Sequence, residues 1–118
     1  MSSNKKLILE HLTETDRSKL APHLTDDVEW VEWVDGVPET GAVQRGKSAY
    51  IQNPGDDRLR IEILRMTEED DVVVAEGICH VTKKDGKSLR VRFVDVFEVE
   101  KGKIKRKSSF GALLKESG

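Results

Sequence analysis

The second half of the chain is dominated by three long runs rich in valine, isoleucine and phenylalanine, at residues 72–83, 89–100 and 103–114. Short glycine-containing turns separate them, Lys84-Asp85-Gly86 after the first run and Lys101-Gly102 after the second. Turns of this kind close β-hairpins, and hairpins join antiparallel neighbours. Residues 58–66 are predicted to add a further strand through an acidic turn at residues 67–71. The sequence therefore predicts an antiparallel meander.

The first half has a different pattern. Apolar residues recur at helical spacing over residues 4–23, with a polar interruption that predicts one helix, or two short ones broken near Thr15. A β-prone run at residues 28–34 leads into a Pro/Gly turn at residues 35–41, and a short helix is predicted over residues 46–53 before Pro54-Gly55. Helices followed by a large antiparallel sheet indicate the α+β class. A length of 118 residues predicts a single domain over residues 1–118.

Composition excludes several classes of function. The 20 Lys and Arg balance 22 Asp and Glu, which gives no electrostatic reason to expect nucleic acid as a partner. No apolar stretch is long enough for a membrane helix, so a cytoplasmic protein that does not bind membranes is expected. The basic run at residues 101–107 is interpreted as a solvated strand face, and the single cysteine, Cys79, as a packed thiol. The spacing of the three histidines predicts no metal site, and no cofactor-binding motif is present.

Acidic residues interrupt apolar strand faces. Because side chains alternate along a strand, Asp95 shares a face with Phe93 and Phe97, and Glu32 shares one with Trp30. Glu76 and His80 fall in the same way beside Val74 and Ile78. A carboxylate in an apolar face is costly unless it is paired, and that cost suits groups that transfer protons. Glu32, Glu76, His80 and Asp95 are therefore the candidates for chemistry, although ordinary ion pairs at the rim of a shallow face would give the same pattern.

The order of segments resembles the nuclear transport factor 2-like superfamily, in particular its SnoaL-like polyketide cyclases and ketosteroid isomerase. The resemblance is carried by Thr25-Asp26-Asp27 before the first strand, the turn with Pro38 and Gly41, and Arg45-Gly46-Lys47 at the short helix. Val94-Asp95-Val96-Phe97 and the following Gly102-Lys103-Ile104 complete it. The resemblance implies a cone in which the helices pack on the concave face of a curved sheet around a pocket for a small hydrophobic molecule.

The resemblance also implies residue roles. Glu32 takes the place of the general base of ketosteroid isomerase, and Asp95 that of its oxyanion-binding acid. His80 is a possible second proton carrier. The side chains expected to contact a substrate are Trp30, Tyr50, Glu76, Ile78 and Phe93. The oxyanion tyrosine of the isomerase would fall near Ile8, which argues against steroid isomerisation.

Two further expectations concern partners. A homodimer through the outer face of the sheet is implied by the resemblance, and the small apolar row from Val73 to Val81 is compatible with that contact. The alternative to a cofactor-free isomerase, cyclase or dehydratase is a domain of the same fold that binds a small ligand or a protein without catalysis.

Overall fold

The computed structural model describes residues 1–34, 39–52 and 58–114, so the first four residues of the predicted turn at residues 35–41, and the Pro54-Gly55 stop, lie outside the described residues. Helix α1 spans Ser3–Thr13. Its N-cap is Ser2, whose hydroxyl accepts a hydrogen bond from the Lys5 amide at 3.1 Å. A 3₁₀ helix spans Arg17–His23. Its N-cap is Asp16, whose carboxylate accepts a hydrogen bond from the Ser18 amide at 3.0 Å. The predicted interruption near Thr15 is thus where one helix ends and the other begins.

Six strands form one curved sheet. They are β1 (Leu24–Val34), β2 (Val43–Arg45), β3 (Arg58–Glu69), β4 (Val72–Thr82), β5 (Ser88–Glu100) and β6 (Lys103–Leu113), with helix α2 (Lys47–Ile51) after β2. Their order is β2-β1-β6-β5-β4-β3. The meander β3 to β6 is antiparallel, whereas β1 pairs with β6 in parallel. The predicted α+β class with N-terminal helices on a curved sheet is confirmed.

Local backbone geometry explains where two hairpins turn. Lys101 and Gly102 have φ values of 50° and 76°, the pair of positive angles that a tight hairpin turn requires. Strand β3 runs beyond its predicted end at residue 66, because Thr67 to Glu69 continue to pair with β4. The predicted acidic turn is therefore much shorter, and Asp70, with φ of 55°, stands at its centre.

The core lies between the helices and the inner face of the sheet. Its largest fully buried side chains are Ile8, Leu24, Val28, Val73, Phe97 and Ile104. Val73 and Ala75 have no exposed surface, so the row from Val73 to Val81 belongs to the inner face. The row is therefore not compatible with a contact to a second copy through the outer face, contrary to the expectation, because the alternation of a strand shows which residues share a face but not which face points inward.

Strand β6 contains an irregularity that turns a lysine inward. The register shifts opposite Glu98 and Val99, so that Ile104 pairs with Val99 and Lys107 pairs with Phe97. A β-bulge of this kind adds a residue and changes the face of everything that follows. Ile104 and Lys107 consequently lie on the same inner face, and the interpretation of residues 101–107 as wholly solvated is wrong for Lys107. No helix in the described part of the chain is long and apolar enough to cross a membrane.

Candidate functional site

Polar side chains from five elements meet on the inner face of the sheet. Glu32 on β1, Ser109 on β6 and Asp95 on β5 are neighbours in register across three adjacent strands. Lys107 lies two residues before Ser109 on β6, and its side chain is on the same face. Tyr50 of α2 and His11 of α1 complete a group that we call the inner polar cluster: Glu32, Asp95, Lys107, Ser109, Tyr50 and His11.

Asp95 is the most enclosed acid of the cluster, with 4% of its surface exposed. The Ser109 hydroxyl donates a hydrogen bond to its Oδ1, and Oδ2 lies 3.8 Å from Nζ of Lys107. Both oxygens therefore face donors, from which a carboxyl oxygen can accept.

Lys107 is the cation at the centre of the cluster. Its Nζ lies 5.7 Å from the ring centroid of Phe97 and 5.9 Å from that of Tyr50, within the range of cation–π attraction. Burial acts to lower the pKa of Lys107, but Tyr50 and the carboxylates of Asp95 and Glu32 outweigh it and raise the pKa above its ordinary value. The amine therefore stays protonated and remains a donor.

A pair of hydrogen bonds links Tyr50 to the helices. Tyr50 is 6% exposed, its ring lies 5.9 Å from Nζ of Lys107, and its hydroxyl lies 2.7 Å from Nε2 of His11. With the hydroxyl as donor and Nε2 as acceptor, His11 carries its own ring hydrogen on the other nitrogen. The remaining ring hydrogen of His11, on Nδ1, then points at Nδ1 of His23, 3.3 Å away.

Burial in the cluster also shifts the pKa values of His11 and Tyr50. Burial, followed by the charges of Lys107, His23 and Arg17, lowers the pKa of His11 from 6.5 to about 3. Burial raises the pKa of Tyr50. Around neutral pH, His11 is therefore a neutral acceptor and Tyr50 a neutral phenol, in agreement with the direction of the hydrogen bonds.

Arg17 fixes the position of Tyr50 through the backbone. Its guanidinium donates to the carbonyl of Tyr50 and, at 3.2 Å, to the carbonyl of Ile51. These are carbonyls at the end of α2, where a cation is favourable. Arg17 thereby joins the 3₁₀ helix to α2 beside the cluster.

Aromatic and apolar side chains surround the cluster. The ring of Trp30 packs edge-on against Tyr50 with centroids 5.1 Å apart, and Phe93 lies two residues from Asp95 on the same face. Gly77 makes room for Phe93, because a Cβ at that position would lie 2.7 Å from the ring and 2.2 Å from the Glu62 carbonyl oxygen. Burial raises the pKa of the Cys79 thiol, which shares this inner face and is half-buried.

Three predicted site residues lie on the opposite face. Ala75 is the cross-strand neighbour of Asp95, so Glu76, Ile78 and His80 point outward. The expectation that these three line the same pocket as Asp95 is therefore wrong. His80 Nε2 lies 3.0 Å from Glu62, and Glu76 forms an ion pair with Arg65 at 2.5 Å. The structure thus brings Glu32, Asp95, Trp30, Tyr50 and Phe93 together and leaves these three residues apart.

The sequence reasoning missed three members of the cluster, Lys107, Ser109 and His11. The bulge in β6 hides the first two, because simple alternation from Ile104 places them on the outer face. His11 had a usable signal, since it stands three residues after Ile8 and shares its helix face. Within the described part of the chain, no group of three or more histidine, cysteine or acidic side chains is arranged to hold a metal ion.

Comparison with known proteins gives a family and a fold. A family model described as the SnoaL-like domain matches residues 6–107. An NTF2-like protein of unknown function from Burkholderia pseudomallei K96243 superimposes with a TM-score of 0.78 at 24% identity, over 92% of this chain and 90% of that one. No curated protein matches the sequence significantly.

Two further solved structures show the same fold. A proposed SnoaL-like polyketide cyclase from Jannaschia sp. CCS1 has a TM-score of 0.74 at 16% identity, over 92% of this chain and 85% of that one. A proposed ketosteroid isomerase from Kribbella flavida DSM 17836 has a TM-score of 0.67 at 20% identity, over 98% and 82%. At these identities the likeness concerns the fold alone.

Proposed function

Since the chain belongs to the SnoaL-like domain family, we propose that it catalyses proton transfer on a small hydrophobic carbonyl compound, without a cofactor, as an isomerase, cyclase or dehydratase. The observation that carries this proposal is the position of Lys107. It is a protonated amine that shares the inner face with two carboxylates, those of Asp95 and Glu32. Preorganised charges in an enclosed site stabilise charge that develops during a reaction.

The residues of the inner polar cluster have different roles in this reaction. Glu32 takes a proton from the carbon next to the substrate carbonyl, and the electron pair of that C–H bond moves to the carbonyl oxygen. Lys107 donates a hydrogen bond to this oxyanion, while Asp95, which accepts a hydrogen bond from Ser109, holds Lys107 in place. In a substrate with a carbon–carbon double bond at the β,γ position, removal of the α-hydrogen gives a dienolate, and return of the proton from Glu32 to the γ carbon moves the double bond and completes an isomerisation.

This assignment gives Asp95 a different role from the one that the resemblance implies. Asp95 has donors at both oxygens, so the hydrogen bond to the oxyanion comes from Lys107 and not from Asp95. Tyr50 supports Lys107 from the other side, and Trp30 and Phe93 supply the apolar surface for the substrate. His80, on the outer face, takes no part in this chemistry.

Glu32→Gln tests the proposal. β-Tetralone in heavy water exchanges its α-hydrogens slowly, and we expect the protein to accelerate deuterium incorporation, measured by mass spectrometry. The amide cannot accept the proton, so the variant should lose the acceleration by roughly 100-fold or more. Glu29→Gln is the matched control, because Glu29 stands on β1 paired with Arg45 at 2.8 Å and not in the cluster.

Two outcomes contradict the proposal: no acceleration by the unaltered protein, or equal acceleration by the Glu32 variant.

The second candidate is a domain that binds such a molecule without catalysis, and the low exposure of Asp95 and Tyr50, 4% and 6%, favours it. Binding of β-tetralone in NMR titrations without deuterium incorporation would support that candidate.

A homodimer through the outer face of the sheet is also part of the proposal. Trp33 and Phe110 are cross-strand neighbours and are 50% and 45% exposed, and aromatic side chains are enriched in such interfaces. Phe110→Lys is expected to shift the protein from dimer to monomer in sedimentation experiments. Leu64→Lys, at a residue 47% exposed on β3, is the control. A protein that is already monomeric at all concentrations would contradict this part.

A further inference from the structure

The outer face of the sheet has an apolar band across its middle. Since Ala75 and Asp95 face inward, the residues that alternate with them on β4 and β5 face outward, together with their cross-strand neighbours on β6 and β1. The side chains of this band are Trp33, Val74, Ile78, Val94, Val96 and Phe110. A contiguous apolar surface of this kind, bordered by charged residues, is typical of a surface that contacts another protein.

A basic row crosses the outer face at one end of β3, β4 and β5. Arg60 on β3 pairs with His80 on β4, and His80 pairs with Arg90 on β5. Arg60 and Arg90 are exposed, and neither forms an ion pair within residues 1–34, 39–52 and 58–114. His80 lies 3.0 Å from Glu62. The two guanidinium groups of the basic row therefore lack a carboxylate partner among the described side chains.

An acidic row crosses the same face at the other end of these three strands. Glu69 on β3 pairs with Val72 on β4, and Val72 pairs with Glu98 on β5. Glu69 is exposed and has no ion pair with any side chain that the structure describes, and Glu98 lies 3.6 Å from Arg106. Across β3 to β5, the outer face is therefore basic at one end and acidic at the other.

The two rows lie at equal distances from the middle of the apolar band. On β4, Glu76 is four residues from His80 and four from Val72, about 13 Å along the strand in each direction. The cross-strand row that contains Glu76 continues through Val94 and ends at the exposed rings of Phe110 and Trp33. A half-turn about this middle row therefore moves the basic row to the position of the acidic row.

We propose that a second copy of the chain packs on this face with its strands antiparallel to those of the first, so that Arg60 faces the partner's Glu69 and Arg90 faces the partner's Glu98. A two-fold axis along the middle row repeats each contact. Packed sheets stand about 10 Å apart with nearly aligned strands, a gap that opposing arginine and glutamate side chains can span. This inference rests on the homodimer proposed above and adds the orientation of the partner.

Charge selects this orientation over the other two-fold arrangement. An axis along the strands would place Arg60 and Arg90 against the same arginines of the second copy, and like charges across an interface repel each other. Glu76 lies on the proposed axis, but its charge is compensated within its own chain by Arg65 at 2.5 Å. Only the antiparallel orientation therefore gives both arginines a carboxylate.

Two charge-reversed variants, studied alone and mixed, test the orientation. R60E/R90E has acidic side chains in both rows, and E69R/E98R has basic side chains in both. In sedimentation velocity experiments at low salt, we expect each variant alone to dimerise at least tenfold more weakly than the unaltered protein. An equimolar mixture should recover dimers, because opposite charges then meet at both ends of the face. High salt should reduce both effects.

K6E/K19E is the matched control. It changes the net charge by the same amount as R60E/R90E, but at exposed side chains of α1 and the 3₁₀ helix. We expect its dimerisation to equal that of the unaltered protein. Recovery of dimers in the mixture also shows that both charge-reversed variants are folded.

Three results overturn the orientation while the homodimer itself stands. Unchanged dimerisation of R60E/R90E would show that the basic row makes no contact with the partner. Tighter dimerisation of R60E/R90E would show that the two basic rows face each other. A mixture that dimerises no better than its components would show that the basic and acidic rows do not meet. An unaltered protein that is monomeric at all concentrations contradicts the homodimer and the orientation together.

Discussion

Lys107→Met is expected to destabilise the protein by about 3 kcal/mol, the effect of removing one partner from a buried ion pair. Asp95, 4% exposed, would keep only the hydrogen bond from Ser109. The carboxylate would then be buried with its charge uncompensated. The free energy of unfolding, measured by urea denaturation with tryptophan fluorescence, checks this result.

Lys105→Met is the matched control for this experiment. Lys105 stands two residues earlier on β6 and is exposed, so the same change there should alter the free energy of unfolding by at most about 0.5 kcal/mol. The double variant K107M/D95N should recover part of the loss, because it removes the carboxylate as well. Equal stabilities of the Lys107 and Lys105 variants would show that the pair does not contribute.

Acidification is expected to weaken the fold through His11. Its pKa is about 3 in the folded protein and 6.5 as the ordinary value, so the unfolded chain binds a proton that the folded protein excludes. A lowered folded pKa stabilises the protein above pH 6.5, and that stabilisation, roughly 5 kcal/mol in all, is lost as the pH falls from 6.5 towards 3. The groups that face His11 are Tyr50, His23, Lys107 and Arg17.

The window from pH 6.5 to about 4.5 isolates this effect, because ordinary carboxyl groups titrate below it. Over this window the free energy of unfolding should fall steeply in the unaltered protein and less steeply in His11→Gln, whose amide oxygen can still accept from Tyr50. His80→Gln removes a histidine from the outer face and should keep the steep slope. If the free energy of unfolding of His11→Gln falls as steeply as that of the unaltered protein, then folding does not prevent the protonation of His11.

The elements of the fold were largely predictable because their signals are local. Hairpin turns such as Lys101-Gly102 encode their own geometry, and the polar residues around Thr15 mark where α1 ends. The short strand β2 was not predicted, since three residues carry no alternation to detect. The parallel pairing of β1 with β6 also went unpredicted, because it joins segments far apart in the chain.

The candidate site was predictable only in part. Glu32 and Asp95 each interrupt an apolar row, and the structure places both on the inner face beside Ser109. Glu76 and His80 show the same pattern in β4 but lie on the outer face. Alternation separates the two faces of a strand, but only the packing of the helices against the sheet decides which face is buried.

The sequence by itself determined the meander, the α+β class and the acids that share an apolar face. The tertiary structure decided which of those acids are enclosed and which cation joins them. The bulge opposite Glu98 and Val99 turns Lys107 inward, and the packing of α1 and α2 brings His11 against Tyr50. The physical reason is range: turns and alternation act between residues close in the chain, whereas burial and charge pairing depend on elements that meet only after folding.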